Sequence, residues 1–287
     1  MDAFFQKNRT ITYKPFLAWF CILALVWTTF LLYAGGITTS IRAGMAFLDW
    51  PLSNGSINPE GWLTEPDKMA EHSHRLLGMI VGLLTITIFC WLLIREERPW
   101  LRKIGRIALL LVILQGVLGG ARVKLDQLNI LTDNNFIAQG FAVAHACTAQ
   151  IFLCILVAIA IASSRPWIER QAGLSFDPPK AVKRWGLIAC GCIFLQLLVG
   201  AIMRHSHAGL AIPTFPLTPE GSLIPSLWDF RVGIHFAHRL GALTVVIGLT
   251  TFLIQIWKDR QTRCTLGNWA IGILCLISLQ VYLGALT

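Results

Sequence analysis

A cluster of ionisable residues opens the second apolar stretch of the chain, in the segment AEHSHRLLGMIVGLLTI that begins at Ala70. The cluster contains Glu71, His72, His74 and Arg75. Ionisable side chains are costly in a lipid bilayer, so residues of this kind at the mouth of an apolar stretch indicate a functional site. Two imidazoles from two helices can hold a haem iron from both sides. A carboxylate beside such a pocket is a candidate proton acceptor or substrate-positioning group.

Two other histidines, His145 and His238, stand at a similar depth in apolar stretches. Counted from the end of each predicted span, they and His74 fall within about 7–14 Å of the same membrane surface. We therefore predict these three histidines as haem iron ligands, with His74 and His145 on neighbouring helices. Arg75 and Arg239 directly follow His74 and His238, and a guanidinium group pairs well with carboxylates such as haem propionates. A lone membrane histidine can also simply hydrogen-bond between helices.

The elements that must position these residues are membrane helices. The sequence is 55% hydrophobic and only 14% charged, whereas a soluble domain is about a quarter charged. Seven stretches are long and apolar enough to cross a bilayer: residues 16–37, 69–94, 104–123, 136–162, 182–203, 232–257 and 265–287. The predicted fold class is therefore an all-α polytopic membrane protein.

The net charge of +9 is concentrated in short segments on one side of the predicted membrane. Sixteen of the 24 Lys and Arg residues lie there: Lys7, Arg9, Lys14, Arg95, Arg98, Arg102, Lys103, Arg106, Arg165, Arg170, Lys180, Lys183, Arg184, Lys258, Arg260 and Arg263. Cytoplasmic segments carry such an excess. The pattern predicts a cytoplasmic N-terminus and two long loops outside, and it argues against nucleic acid as a partner.

The chain contains an internal repeat. GGITTSIRAGMAFLDWP begins at Gly35 and GAIMRHSHAGLAIPTFP begins at Gly200, 165 residues later. HRLLGMIVGL from His74 matches HRLGALTVVIGL from His238 at a spacing of 164, and LQGVLGGA matches LQVYLGAL at 165. Three blocks in the same order indicate two homologous halves. Four spans return the chain to the side on which it started, so the repeat is predicted to be parallel, about an axis along the membrane normal. Three Leu-Gln-x-x-x-Gly sequences contain Gln115, Gln196 and Gln280, and we interpret these glutamines as helix-packing residues rather than ligands.

Together, GGITTSIRAGMAFLDWP, EHSHRLLG, LQGVLGGARV, FAHRLGA and His145 resemble the haem A synthase family, over nearly the whole chain from Gly35. This family oxidises the C8 methyl of haem O to a formyl group, which makes haem A for terminal oxidases. The resemblance implies that Glu71, His74 and His145 form the substrate-haem site. It also implies that His238 is one axial ligand of a bound cofactor, haem b.

The resemblance further implies a mechanism. The methyl is hydroxylated twice, and the geminal diol loses water to give the aldehyde. Glu71 would handle protons or steady a cationic intermediate at the methyl carbon, with a purely structural role as its alternative. Haem b would pass electrons. The implied location is a bacterial-type plasma membrane with the haem sites toward the outer side. Candidate partners are haem O, haem O synthase, an electron donor, membrane lipid and a second copy of the chain.

We expect three segments: residues 1–163 as a four-helix half with the substrate site, 164–180 as a cytoplasmic linker, and 181–287 as a three-span half with the haem b site.

The repeat places a histidine partner for His238 at about position 310, which is 145 plus 165. Either the molecule lacks an eighth span or the sequence is incomplete. If it ends at Thr287, we expect haem in the N-terminal half only, or a five-coordinate haem in the other.

Two other functions fit part of the pattern. A di-haem electron-transfer protein would need axial histidines but would have no use for Glu71. A haem or proton transporter would be expected to show broken helices and an inverted repeat, and neither is evident. The sequence leaves open the electron donor, the oxygen source, the oligomeric state and the roles of four histidines: His72, His205, His207 and His235.

Overall fold

The structure is a computed structural model that describes residues 12–128, 136–173 and 177–286, with side chains described outside 126–128 and 170–173. Three of the residues used in the charge argument, Lys7, Arg9 and the side chain of Arg170, lie outside this description. The same holds for Thr287, the last residue of the seventh predicted span.

Eight α-helices form within the described residues: α1 (Pro15–Ser40), α2 (Pro66–Arg95), α3 (Pro99–Leu128), α4 (Phe136–Ser163), α5 (Arg165–Gly173), α6 (Lys180–His205), α7 (Phe230–Lys258) and α8 (Arg260–Leu286). All but α5 are long and apolar enough to cross a membrane. This confirms the predicted class of all-α polytopic membrane protein. The helices run a few residues beyond the predicted spans, and α1, α2 and α3 each begin at a proline, whose fixed φ suits the first helical turn.

The segment 164–180, predicted as a plain linker, contains the short helix α5. Its start has a local cause, because the Ser164 hydroxyl accepts a hydrogen bond from the Trp167 N–H at 3.4 Å. An exposed ion pair between Arg165 and Glu169, 2.6 Å apart, spans one turn of the helix. We did not predict a helix here because the segment is polar and too short to show a membrane span.

The chain divides into two compact units, Met1–Ser175 and Phe176–Thr287. In the first unit α1 packs against α2 and α4, and α3 packs against the same two helices. The four helices therefore close into a bundle in which α2 and α4 stand at opposite corners. The prediction that His74 and His145 lie on neighbouring helices is thus wrong, because these residues belong to α2 and α4. The bundle core is apolar and includes Leu17, Cys21, Val81, Ile88, Leu92, Leu101, Phe152, Leu156 and Ile159.

In the second unit α7 packs against both α6 and α8. Two small apolar clusters fill these contacts: Val182, Leu253, Ile256 and Ala270 in one, and Ala189, Val245 and Leu249 in the other. The start of α7 is capped by Asp229, whose carboxylate accepts a hydrogen bond from the Val232 N–H at 2.7 Å. The cap fixes the point at which the chain enters the helix that carries His238.

A buried ion pair joins the ends of three helices in the first unit. Arg98 donates to both carboxylate oxygens of Glu96, at 2.8 and 3.0 Å, and to the Ala162 carbonyl oxygen at the end of α4, at 2.8 Å. Burial opposes ionisation of Glu96, but the hydrogen bonds and charge of Arg98 outweigh it and lower the pKa of this carboxyl. Arg98, which we predicted only as one of the charges of a loop, thus holds the α2–α3 turn against α4.

We expect Arg98→Met to lower the thermal unfolding temperature of the detergent-solubilised protein markedly. The change leaves Glu96 buried without its partner, and breaking a buried pair in this way costs about 3–5 kcal/mol. Arg106→Met, at an exposed position of α3, is the matched control and should leave the unfolding temperature nearly unchanged. Equal unfolding temperatures for the two variants would contradict this account.

Because the pKa of Glu96 is lowered in the folded protein, the stabilisation should be present at neutral pH and lost as the pH falls through that lowered pKa.

Candidate functional site

The three histidines proposed as iron ligands lie at matched depths in their helices. His74 is eight residues after the first residue of α2, His145 is nine after that of α4, and His238 is eight after that of α7. At 1.5 Å of rise per residue, each lies about 12–14 Å along its helix. Opposite corners of the first bundle suit an iron with one imidazole on each side, since the two ligands must approach it from opposite directions.

His74 fits against a glycine on the facing helix α1. A Cβ atom at Gly35 would stand 2.8 Å from Cε1 of the imidazole, so no other residue would leave room for this ring. One turn earlier on α1, the Leu31 carbonyl oxygen accepts a hydrogen bond from His74 Nδ1 at 3.2 Å. A carbonyl can only accept, so the proton is on Nδ1 and the lone pair on Nε2. This is the protonation state that a metal-ligating histidine requires.

His238 has the same surroundings in the second unit. A Cβ atom at Gly200 of α6 would stand 3.0 Å from Cε1 of the imidazole. One turn earlier, Nε2 of the Gln196 amide donates to the His238 carbonyl oxygen at 2.8 Å and lies 3.0 Å from Nδ1 and 3.4 Å from Nε2 of the ring. The Gln196 Oε1 atom is buried and has no hydrogen-bond partner among the described residues. Gly200 occupies the repeat position of Gly35.

The His145 ring lies against α3, where a glycine and a glutamine contact it. A Cβ atom at Gly119 would stand 3.5 Å from Cε1 of its ring. One turn earlier, the Gln115 amide reaches His145 Nδ1 at 3.1 Å and hydrogen-bonds the Thr148 hydroxyl. The amide nitrogen faces Nδ1, so the amide N–H group donates and Nδ1 accepts.

All three imidazoles share an arrangement that we call the histidine cradle: a glycine of the facing helix next to the ring, and a polar group one turn earlier that reaches Nδ1. A Cβ atom would crowd the ring at Gly35 and Gly200, whereas at Gly119 it would make only an ordinary contact. In two of the three cradles the pair is the Gln-x-x-x-Gly of an LQ sequence, Gln115–Gly119 and Gln196–Gly200. The sequence analysis assigned these glutamines to helix packing and missed their contact with the histidines. The signal was the spacing of four, which puts the glutamine and the glycine on one helix face.

Glu71 and Arg75 form a buried ion pair that holds the α1–α2 loop, residues 41–65. Glu71 Oε2 accepts a hydrogen bond from the Phe47 N–H at 3.1 Å. Arg75 donates to the carbonyl oxygens of Asp49 at 2.6 Å, Phe47 at 3.0 Å, and Leu52. Most of the Arg75 donors are therefore directed at the backbone. The roles predicted for Glu71 in chemistry and for Arg75 in propionate binding stay predictions.

The second unit repeats this loop contact with different chemistry. His235 Nδ1 accepts a hydrogen bond from the Ile212 N–H at 3.2 Å. Arg239 donates to the carbonyl oxygens of Ile212, at 2.9 Å, and Thr214. His235 lies 164 residues after Glu71 and Ile212 lies 165 after Phe47, so an imidazole here replaces the carboxylate of the first unit. This gives His235 the function of holding the α6–α7 loop, residues 206–229. The predicted propionate contact of Arg239 also stays a prediction.

The remaining histidines belong to loop contacts or loop ends. The buried His72 ring reaches the Ser53 hydroxyl through Nδ1 at 2.9 Å and the Ile57 carbonyl oxygen through Nε2 at 3.0 Å, so both of its nitrogens serve the α1–α2 loop. His205 is the last residue of α6, and His207 follows in the left-handed region at φ +54°.

Asp49 orders the tip of the α1–α2 loop. Its carboxylate accepts hydrogen bonds from the N–H groups of Asn54 and Gly55, both at 2.7 Å. Burial raises the pKa of Asp49, but these two hydrogen bonds and the charge of Arg75 outweigh it and lower the pKa overall. The group is therefore ionised at neutral pH and keeps the loop closed on itself.

We expect Gly35→Ala to weaken haem binding about tenfold or more, because the new Cβ displaces the His74 imidazole. Gly36→Ala is the matched control, since a Cβ there meets nothing within 4 Å. Gly200→Ala and Gly191→Ala form the corresponding pair on α6. Absorption titration of the purified variants with ferric haem measures the effect. Equal affinities within each pair would show that the glycines do not position the histidines.

Comparison with known proteins identifies the family of the chain. Residues 18–287 match the family model COX15-CtaA, described as cytochrome oxidase assembly protein. The heme A synthase of Geobacillus kaustophilus (strain HTA426) is 27% identical over 274 residues, which cover 94% of this chain and 81% of that protein. The heme A synthase of Symbiobacterium thermophilum is 28% identical over 272 residues (92% and 81%), and that of Listeria monocytogenes strain EGD-e is 26% identical over 279 residues (96% and 86%). The resemblance stated from the sequence is confirmed, and the chain belongs to the COX15-CtaA family of cytochrome oxidase assembly proteins.

Proposed function

We propose that this protein is a haem A synthase, an oxidoreductase that converts the C8 methyl of haem O into the formyl group of haem A for terminal oxidases. The family match and the names of the relatives support this activity. One observation links this activity to particular residues. His74 and His145, each in a histidine cradle, lie at matched depth on opposite corners of one apolar four-helix bundle.

In this proposal His74 and His145 hold the iron of the substrate, haem O, from its two sides. Each ring is fixed on its Nδ1 side, by the Leu31 carbonyl for His74 and by the Gln115 amide for His145. Holding the rings in this way keeps Nε2 directed at the substrate and reduces the entropy lost on binding. The apolar bundle excludes water from the methyl group that reacts.

Glu71 is the proposed proton acceptor, or the group that steadies positive charge at the methyl carbon. It lies three residues before His74, on the same side of α2. Its ion pair with Arg75 and its bond to the Phe47 N–H keep the carboxylate in one position. The same contacts also support the alternative that Glu71 only holds the loop, so experiment must separate the two roles.

We propose His238 as an axial ligand of haem b in the second unit. The surroundings leave room for this role, because Gly200 leaves space for the ring and the Gln196 amide N–H at Nδ1 holds the ring in place. The buried Gln196 Oε1 has no partner among the described residues. When bound, haem b would provide one-electron transfer between this site and its redox partners. Arg239 would keep the α6–α7 loop folded over this site through its three backbone carbonyl contacts.

The protein is a multi-pass membrane protein. We propose the plasma membrane of a bacterium as its location, with the N-terminus in the cytoplasm and both long loops outside. The excess of Lys and Arg in the short segments supports this orientation. The substrate and cofactor haems would then lie toward the outer side. An electron donor, haem O synthase and a second copy of the chain are the proposed partners.

His74→Ala and His145→Ala are each expected to abolish conversion of haem O while the protein still inserts into membranes. Each change removes one of the two imidazoles on the substrate iron. The fraction of extracted haem that carries a formyl group measures conversion, and the yield of protein in the membrane is measured in parallel. His207→Asn, at an exposed loop position, is the control and should convert normally. Near-normal haem A production by either alanine variant would refute the ligand assignment.

Glu71→Gln should bind haem O normally and lower the rate of conversion by about 10²-fold or more, because glutamine keeps the size of the side chain and removes the carboxylate that accepts a proton. Arg75→Gln breaks the same ion pair and leaves the carboxylate in place, so it tests the loop-holding role alone. If both variants lose thermal stability and activity to the same extent, Glu71 holds the loop and takes no part in the chemistry.

A further inference from the structure

A haem carries two propionate carboxylates, and a buried carboxylate is costly unless a cation or hydrogen-bond donors accompany it. The sequence pattern pointed to Arg75 for this task. In the structure the Arg75 guanidinium donates to three backbone carbonyls and to Glu71. Because most Arg75 donors are occupied in this way, a different cation near the two histidines is a better partner for a propionate.

Arg122, near the end of α3, is such a cation. Its guanidinium lies flat against the α1–α2 loop, where a Cβ atom at Gly44 would stand 3.3 Å from Nη2 and 3.5 Å from both Cζ and Nη1. The residue is half-buried. In the part of the chain that the structure describes, no hydrogen-bond acceptor or carboxylate pairs with this guanidinium. With respect to the described residues, its N–H donors are therefore free to bind a ligand.

The position of Arg122 relates it to both proposed iron ligands of the first unit. It follows Gly119 by three residues, so it lies on the same face of α3, about 4.5 Å further along the axis. Gly119 is the residue that faces the His145 ring. The charge of Arg122 also acts on the His74 imidazole, together with that of Arg75. The guanidinium therefore lies at the end of the bundle that the α1–α2 loop covers, on the face of α3 that meets the His145 ring.

We propose that Arg122 binds a propionate carboxylate of the substrate haem. This inference rests on the proposed function, in which His74 and His145 hold the iron of haem O. A guanidinium can bind a carboxylate through two parallel hydrogen bonds, which fixes the direction of the carboxylate as well as its place. The acidic edge of the porphyrin thus faces the α1–α2 loop, and its apolar edge points into the bundle. Arg122 thereby sets which substituents of the ring face inward.

The experiment compares two probes that differ only in the propionates: ferric protohaem and its dimethyl ester, which has no carboxylate. Both are titrated by absorption into the full-length protein in detergent, for the wild type, Arg122→Met, Arg122→Lys and the control Lys124→Met at an exposed position two residues on. The wild type and the control should bind the free acid more tightly than the ester. Arg122→Met should weaken binding of the free acid about 10–100-fold and leave the ester unchanged. Arg122→Lys should retain part of the preference.

The ratio of the affinities for the free acid and for the ester decides whether Arg122 binds a propionate. If Arg122→Met keeps the wild-type preference, or weakens both probes equally, the proposal is wrong and Arg122 only packs against the loop. Thermal unfolding of each variant checks that the fold is intact, and Arg122→Lys supplies the test if the methionine variant does not fold. If the wild type binds neither probe in a form that His74→Ala abolishes, the haem site itself fails, and this proposal with it.

Discussion

The central constraint in this protein is the fit of an imidazole ring between close-packed membrane helices. Gly35 and Gly200 leave room for the rings of His74 and His238, which a Cβ atom would crowd, and Gly119 lies next to the His145 ring, where a Cβ atom would make an ordinary contact. A ring with that freedom would rotate unless a second group held it, and each facing helix supplies one at Nδ1, one turn before its glycine. The backbone carbonyl of Leu31 and the amides of two glutamines are chemically different groups. The direction of the contact differs, since Nδ1 of His74 donates to the carbonyl, whereas the amide N–H groups of the glutamines donate to Nδ1 of His145 and His238. Each contact nevertheless restrains the rotation of its ring.

The loops over the two units depend on a second repeated arrangement, built on the turn of helix next to each histidine. In both units an arginine that directly follows the histidine donates to two equivalent backbone carbonyls of the loop. In both, an acceptor three residues before the histidine holds the same loop N–H group: Glu71 with Phe47, and His235 with Ile212. The carboxylate occurs in the unit that we propose binds the substrate. A neutral acceptor suffices to hold the loop, so the presence of a charged one there supports a chemical role for Glu71.

Much of the fold could be predicted from the sequence because a bilayer demands long apolar helices, and the seven predicted spans match seven helices to within a few residues. The repeat identified His74 and His238 as equivalent. What could not be predicted depends on the packing of helices that are distant in sequence. Periodicity does not reveal that α2 and α4 are diagonal, that Gln115 and Gln196 contact histidines, or that Arg98 is buried beside Glu96. The short helix α5 was missed because only local capping and one ion pair mark it.

The measurement that tests the account most directly is the electron paramagnetic resonance spectrum of the purified protein as ferric haem O is added. The account predicts that each added equivalent, up to one per chain, gives a low-spin signal typical of an iron with two imidazole ligands, since cradled histidines on opposite corners of the first bundle supply both. A high-spin signal from the added haem O, or a low-spin signal that persists when both His74 and His145 are replaced by alanine, would contradict it.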